Sequence, residues 1–382
     1  MADLLVQNLS LTARILVNAE ALNMAESVGN YTRHRKAPVV VPSESGYSII
    51  YVPAVSGESL AHAYQTLLAH IASQKGLPVT EMDTQGFFMK FSDENIIKKY
   101  YKEELVKALK AKDEAEALNM LKKMQPAEVE RAILKTSVVA DVGGFLYTER
   151  EKREKKKTEG KGEEETKMSV KRTSAIRFAY LIPALDALIT GGASISPQLH
   201  VRYAPKPEEG VQSLFYVESG SALYTLTAQL VISDIGKVLL DPSIRDEELE
   251  EQRVNRIEAA IDALTVLVEG VLFGAKRSRY MPQWDVRSIL VAYSRGPVEY
   301  NVTPGLTKDY MVKSYERAVA LAKSLGNSLI VNMYGYNGEG EYLQEPVVKP
   351  EVRNVKFEKT STPAEALLKA KERVMSVINP LR

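Results

Sequence analysis

The sequence predicts an α+β fold, one sheet with helices on one face and insertions in its loops. Three observations carry that expectation. Short segments rich in β-branched and aromatic residues recur along the chain, as in Tyr47–Val52 (YSIIYV) and Ala222–Ile232 (ALYTLTAQLVI). Longer segments with helical apolar spacing fall between them, the clearest over Asp246–Leu272. The two kinds alternate irregularly: strand, strand, helix, insertions, strands, helix, strand, helix, strand, helix. That order suits a ferredoxin-like sheet with insertions and fits a doubly wound parallel sheet poorly.

Arg14–Asn18 (RILVN) reads as the first strand and Glu20–Pro42 as a long polar loop. Tyr47–Val52 is the second strand. It ends at Pro53, and a helix starts at once with Ser56 as N-cap, Glu58 in the first turn and LAHAYQTLLAHIA at helical spacing. Gly76-Leu77-Pro78 stops it. Ser92–Lys135 is highly charged and helical, with a break at Pro126. Val138–Tyr147 (VVADVGGFLY) reads as a strand with a turn or bulge at Gly143-Gly144. Glu149–Lys167 (EREKREKKKTEGKGEEETK) holds no apolar residue to offset its ordering entropy, which predicts a mobile loop. Ser174–Pro183 is strand-like, and Gly191-Gly192 marks a turn. Gln198–Tyr203 and Ser213–Val217 alternate and, joined by APKPEEGVQ, predict a long hairpin. The Asp246–Leu272 helix opens on DEELEE, carries Val254, Ile257, Ile261, Leu264 and Leu267, and is followed by Gly274. Asp285–Tyr293 is a strand, Lys308–Leu325 a helix, Ser328–Met333 a strand and Pro363–Ile378 a last helix.

The 382 residues suffice for two to three domains, or one with large insertions, and 45% hydrophobic residues supply a sizeable core. There is no cysteine, which excludes disulfides, thiolate metal sites and cysteine nucleophiles. The N-terminal residues lack a signal-peptide pattern, and no apolar run approaches the ~20 residues of a membrane span, so a soluble cytoplasmic protein is expected. A net charge of +1 and a pI near 7.7 give no global support to nucleic-acid binding. The distribution of charge says more. Basic clusters stand at Arg33-His34-Arg35-Lys36, Lys171-Arg172 and Lys276-Arg277-Ser278-Arg279. They form one positive surface if the fold gathers them, and are ordinary solvated decoration if it does not.

Catalytic motifs are scarce. His62 and His70, of four histidines in all, lie two helical turns apart, too far to share a metal. The glycines 335, 338 and 340 follow a strand but open no helix, so they make no dinucleotide fingerprint. No Walker loop and no G-x-S-x-G elbow is present. A metal-independent ribonuclease remains open through His34 or His200, each of which is equally a donor to phosphate or base.

Six segments, Asn18–Asn23 (NAEALN), Gly29–Pro38 (GNYTRHRKAP), Val55–Leu60 (VSGESL), Ala140–Gly144 (ADVGG), Gln198–Arg202 (QLHVR) and Gly274–Arg279 (GAKRSR), together resemble one family. It is that of the crRNA-binding backbone subunits of archaeal type I-A Cascade, a CRISPR effector of the RAMP superfamily. The resemblance runs from about residue 12 to about residue 335. It implies an RRM-like palm over 12–75 and 222–335, a helical finger insertion over 76–197, a β-hairpin thumb over 198–221 and web elements; the charged mobile loop at 149–170 departs from the family's core pattern, and the C-terminal extension over 336–382 lies beyond the resemblance. It implies a non-catalytic role without cofactors in antiviral defence. The partners would be crRNA, a target DNA strand by guide pairing, copies of the chain in a helical oligomer, and other Cascade subunits, with no membrane. The alternative is a crRNA-processing endoribonuclease of the same superfamily. A protein-only scaffold is a third reading.

A subunit that accepts any guide must read backbone and not base identity. Ser56, Gly57 and Ser59 open a helix directly after a strand, which is either a phosphate seat or a simple cap. Asn18 and Asn23 flank the end of the first strand. Arg33, His34, Arg35 and Lys36 supply charge from a long loop, and Lys276, Arg277, Ser278 and Arg279 from a segment after a helix. His200 and Arg202 share one face of the hairpin, with Leu199 and Val201 on the other. Arg35, His200 and Arg277 are therefore expected to meet.

Overall fold

A computed structural model describes residues 5–152, 164–202, 213–270 and 274–379. Its strands are β1 Val6–Glu20, β2 Met24–Val28, β3 Tyr31–His34, β4 Lys36–Ser43, β5 Gly46–Pro53, β6 Phe145–Lys152, β7 Glu164–Arg172, β8 Ile176–Phe178, β9 Ile182–Pro183, β10 Ala193–Arg202, β11 Ser213–Val231, β12 Gln283–Gly296, β13 Ile330–Asn337 and β14 Val355–Thr360. Its helices are α1 Gly57–Gln74, α2 Glu81–Thr84, α3 Glu94–Tyr100, α4 Lys102–Leu109, α5 Glu114–Lys123, α6 Pro126–Thr136, α7 Val138–Gly143, α8 Leu185–Ile189, α9 Glu247–Glu269, α10 Tyr310–Ser324 and α11 Pro363–Ile378. Among the described residues no helix is long and apolar enough to cross a membrane. The α+β expectation is met by a mixed sheet flanked by helices.

The chain divides into two compact units. The first comprises the described residues within Met1–Ala63, Arg177–Leu230 and Thr265–Val374. It is built on a sheet of order β14-β13-β12-β1-β11-β3-β2, with β8, β9 and β10 also pairing β11. In β1, Leu9, Leu11, Ala13, Ile15 and Val17 are fully buried on one face. Asn8, Ser10, Thr12 and Arg14 occupy the other face and are buried too. Their polar atoms bond the carbonyls of Tyr300, Leu226 and Gly305, which offsets part of the desolvation cost of that face. Arg14 further pairs with Asp186 and Glu339, at 3.0 and 2.9 Å. Under α10, Tyr310, Met311, Tyr315 and Ala318 pack on Leu290, Val331 and Met333. Each such large apolar side chain contributes about 1.5–3 kcal/mol by leaving water. A separate ribbon, β4–β5, turns Val39, Val41 and Val52 onto Ile182, Leu185 and Leu188 and leaves Val40, Tyr47, Ile49 and Tyr51 exposed.

The second unit comprises Tyr64–Ile176, Val231–Leu264 and Met375–Arg382, within the described residues. Helices α2–α7 and the β6–β7 hairpin enclose a core of Ile97, Tyr101, Leu105, Leu121, Val129, Ile133, Phe145, Tyr147 and Val170. It also contains a fully buried ion cluster. Arg172 reaches Glu130 at 2.6 Å and Asp141, and Arg256 reaches the other Asp141 oxygen at 2.9 Å.

Several expectations need correction. The first strand extends far beyond Arg14–Asn18, because its polar alternate residues are buried as described and not solvated. The expected loop over Glu20–Pro42 is β2, β3 and most of β4. Short strands closed on one another by tight turns lack a long apolar run, and Pro38 and Pro42 are tolerated because β4 pairs on one side only. Val138–Gly143 is a helix despite its valines, capped by the Ser137 hydroxyl, which accepts from Ala140 N–H at 2.9 Å. The ends of the expected charged loop are hairpin strands, paired up to Lys152 with Glu164. The rest of that loop, 153–163, lies outside the described residues, as does the hairpin linker 203–212. Strand β14 and helix α8 went unread; β14 pairs in parallel with β13.

Candidate nucleic-acid interface

Asn23 knits three segments of the first unit together. Its Nδ2 donates to Ser59 Oγ at 3.1 Å, its Oδ1 accepts from Ser56 N–H at 3.0 Å, and its carbonyl accepts from Arg35 N–H at 2.8 Å. The Arg35 carbonyl in turn accepts from Ala54 N–H at 3.0 Å. The Asn23 amide is thus occupied within the protein, where a contact to sugar or phosphate was expected of it. Ser56 is buried, and its hydroxyl accepts from Ser59 N–H at 3.2 Å, so it acts as the cap of α1. Gly57 is explained by packing: a Cβ there would stand 2.5 Å from the Phe178 carbonyl oxygen.

The basic run lies on the ends of β3 and β4, with Arg35 the single residue between them, and not in a long loop. Arg33, Arg35 and Lys36 line a pocket of about 600 Å³ with Tyr31, Tyr51 and Glu218. Arg33 faces Glu26 at 3.1 Å and Lys36 faces Glu218 at 3.5 Å. Arg35 has no carboxylate within ion-pair distance among the described residues. His34 is the exception to the surface reading. It is 2% exposed, with Nε2 2.6 Å from Glu20 and Nδ1 2.7 Å from the Arg35 carbonyl oxygen, so both ring nitrogens are taken inside the protein. The side-chain alternation of β3 turns Arg33 outward and therefore His34 inward.

The residues after α9 form a turn tied to the same place. Ala275 N–H donates to the Leu22 carbonyl at 3.0 Å, and Gly274 lies where a Cβ would meet Leu22 at 2.5 Å. Lys276 adopts a left-handed φ of 54°, while Arg277, Ser278 and Arg279 are exposed. Burial first, then the charge of Arg279, holds the Lys276 ammonium below the usual lysine range. The turn also reaches the hairpin. His200 Nε2 bonds the Tyr280 hydroxyl, its ring stacks on Phe215 at 5.1 Å, and the Arg279 guanidinium lies 5.6 Å over Phe215. Arg35, the 276–279 turn and His200 are linked through Asn23, Leu22 and Tyr280, while the pocket lined by Arg33, Arg35 and Lys36 includes neither the turn nor His200. By register Arg202 follows His200 on the same face, but its side chain lies outside the described residues. Asn18 stands apart from the Asn23 knot, on Gln283 at 3.4 Å.

Sequence reading missed Tyr280, Phe215, Glu20, Glu218 and Tyr51. Phe215 was within reach, since it pairs directly with His200 in the hairpin register. Glu20 and Glu218 were not, because only the tertiary fold brings them to the basic run.

The family model described as "CRISPR-associated negative auto-regulator DevR/Csa2" matches residues 11–315. An aCascade subunit Cas7/Csa2 of Saccharolobus solfataricus is 37% identical over 345 residues, covering 88% of this chain and 94% of that protein. A second Cas7/Csa2 protein of the same organism is 32% identical, covering 89% and 95%. A solved chain from a CRISPR RNA-guided surveillance complex covers 96% of this chain and 99% of its own at a TM-score of 0.46 and 10% identity, too loose a likeness to carry residue roles. On the extent of the family match and the identity to these relatives, the chain belongs to the DevR/Csa2 family of CRISPR-associated proteins.

Proposed function

We propose that this chain is a non-catalytic backbone subunit of a type I-A CRISPR interference complex. It lines up copies of itself along a crRNA, grips the sugar–phosphate chain without reading its letters, and leaves the bases to pair with a target DNA strand. Other Cascade subunits complete the assembly, and the sheet of the first unit serves as an RRM-like palm with the β10–β11 hairpin as thumb. The naming of one relative as an aCascade subunit supports complex membership. The observation that carries RNA binding is the tethering of Arg33, Arg35 and Lys36 to the exposed turn of Lys276, Arg277 and Arg279 through the Asn23 and Leu22 backbone. Cations from distant parts of the chain are thereby held on one backbone framework, which suits backbone readout. The inward pairing of His34 argues against its use as a general base, which supports the non-catalytic reading.

The test is binding of the purified chain to RNAs of unrelated sequence. Affinities are expected to be similar across sequences and to fall steeply with salt, with helical oligomers seen by electron microscopy. A strictly monomeric protein without salt-sensitive RNA affinity overturns the proposal. Repeat RNA incubated with the protein in EDTA is expected to stay intact; clean cleavage lost on His200→Ala would establish the endoribonuclease instead.

A further inference from the structure

The ring of His34 is enclosed by acceptors. Nδ1 faces the Arg35 carbonyl oxygen at 2.7 Å, and Nε2 meets Glu20 Oε1 at 2.6 Å as an ion-pair contact rather than an aligned hydrogen bond. A neutral imidazole carries one N–H, so a neutral ring would turn a lone pair toward an oxygen at one of these contacts. Glu20 is itself held as a carboxylate: Leu22 N–H donates to Oε2 and the Tyr224 hydroxyl to Oε1, each at 2.7 Å. The chain makes room for that carboxylate at Gly220, where a Cβ would stand 2.5 Å from Glu20 Oε1. The groups facing the ring are Glu20 from β1, Glu218 and Tyr224 from β11, and Arg35 and Lys36 on its own segment. Glu218 also accepts from His34 N–H at 2.8 Å and from Tyr31. Burial opposes charge on the ring, but Glu20, the Arg35 carbonyl and Glu218 outweigh it and raise the pKa of His34 above the usual histidine value.

We propose that His34 is a buried imidazolium that positions the Arg35–Lys36 segment, so that the grip on RNA weakens as pH rises and the ring gives up its proton. The inference rests on the reading of this surface as an RNA-backbone site and makes His34 a positioning residue within it. Its ring N–H fixes the Arg35 carbonyl, which Ala54 N–H also holds, and from that peptide the two cations project. Loss of the proton leaves the Glu20 carboxylate buried without its cation, and the segment it anchors must shift. The sign follows from the raised value. The charged brace is complete below the ordinary histidine pKa of ~6.5 and is lost as pH climbs through the higher folded value.

The experiment uses the full chain labelled with ¹⁵N-histidine, whose four rings are few enough to resolve. One buried ring is expected to keep both nitrogens protonated to a higher pH than free histidine, and Glu20→Gln to abolish that state. Affinity for two RNAs of unrelated sequence, measured from pH 6 to pH 9, is expected to fall as the ring loses its proton, with a slope of at most about tenfold per pH unit, and then to level off. Every titratable group outside the Glu20–His34 pair, the lowered Lys276 ammonium included, is common to all the variants, so the comparison between them isolates that pair. The double variant Glu20→Gln/His34→Gln keeps a neutral hydrogen-bonding pair with no buried charge, and its pH profile should lose that fall. A buried ring that loses its proton at or below the pH of free histidine, or a double variant that follows the wild-type profile, overturns the inference while leaving RNA binding intact. Absence of RNA affinity at every pH overturns the functional reading and the coupling with it, and the histidine spectrum still decides the ionisation.

Discussion

In the second unit, Arg172 and Arg256 lie fully buried and share the two oxygens of Asp141, with Glu130 as a further partner. In the first unit, Arg277 and Arg279 stand exposed on a turn, and Arg35 lines an open pocket without a carboxylate of its own. The residue type is the same and the physics is opposite. A buried guanidinium is tolerated only with its charge and donors satisfied, so Arg172 and Arg256 are fastened and contribute to the shape of the unit. An exposed one keeps its hydration and its reach, and remains available to a polyanion. The basic pair Lys171-Arg172 was a candidate for the positive surface; Arg172 belongs instead to the buried cluster.

Three substitutions separate these uses, beginning with the largest effect. Asp141→Ala leaves buried Arg256 without a carboxylate and Arg172 with Glu130 alone, and is expected to cost about 3–5 kcal/mol in chemical unfolding. A loss below about 1 kcal/mol would mean that the cluster hydrates readily and that the contrast between the units is weaker than drawn. Gly57→Ala drives a methyl group into the Phe178 carbonyl and is expected to cost about 1–3 kcal/mol of stability. Salt dependence of RNA binding should be unaltered in that variant, because the glycine is needed for packing. A selective loss of RNA affinity at full stability would instead give Gly57 the phosphate role. Arg277→Ala should leave stability within about 0.5 kcal/mol, as for an exposed side chain. Titration at several salt concentrations should show the slope of log affinity against log salt shallower by about 0.7, one phosphate contact on a single strand. A change that depended on RNA sequence would contradict backbone readout.

The legible parts of the fold are those with one wet and one dry face. The α9 and α11 helices and the β10–β11 hairpin follow directly from spacing, with α11 matching Pro363–Ile378 to the residue. Illegible parts are dry on both faces or locally ambiguous. Asn8 and Ser10 look like a solvated edge, and only the loop carbonyl of Tyr300, nearly three hundred residues later, makes them interior. VVADVG has strand-like composition, and one serine cap with burial decides for helix. The site divides in the same way. Its charges were readable from the sequence; which of them stay free to act was not. His34 and Arg33 are neighbours, yet alternation sends one onto Glu20 and the other to the surface.

Strand β11 runs unbroken from Ser213, at the hairpin, to Val231, in the middle of the main sheet. A continuous extended segment contains no joint about which its outer end could swing. Load applied where Phe215 meets His200 and Arg279 is accordingly borne by the ladder hydrogen bonds further along, and the arm yields like a leaf spring and not like a door.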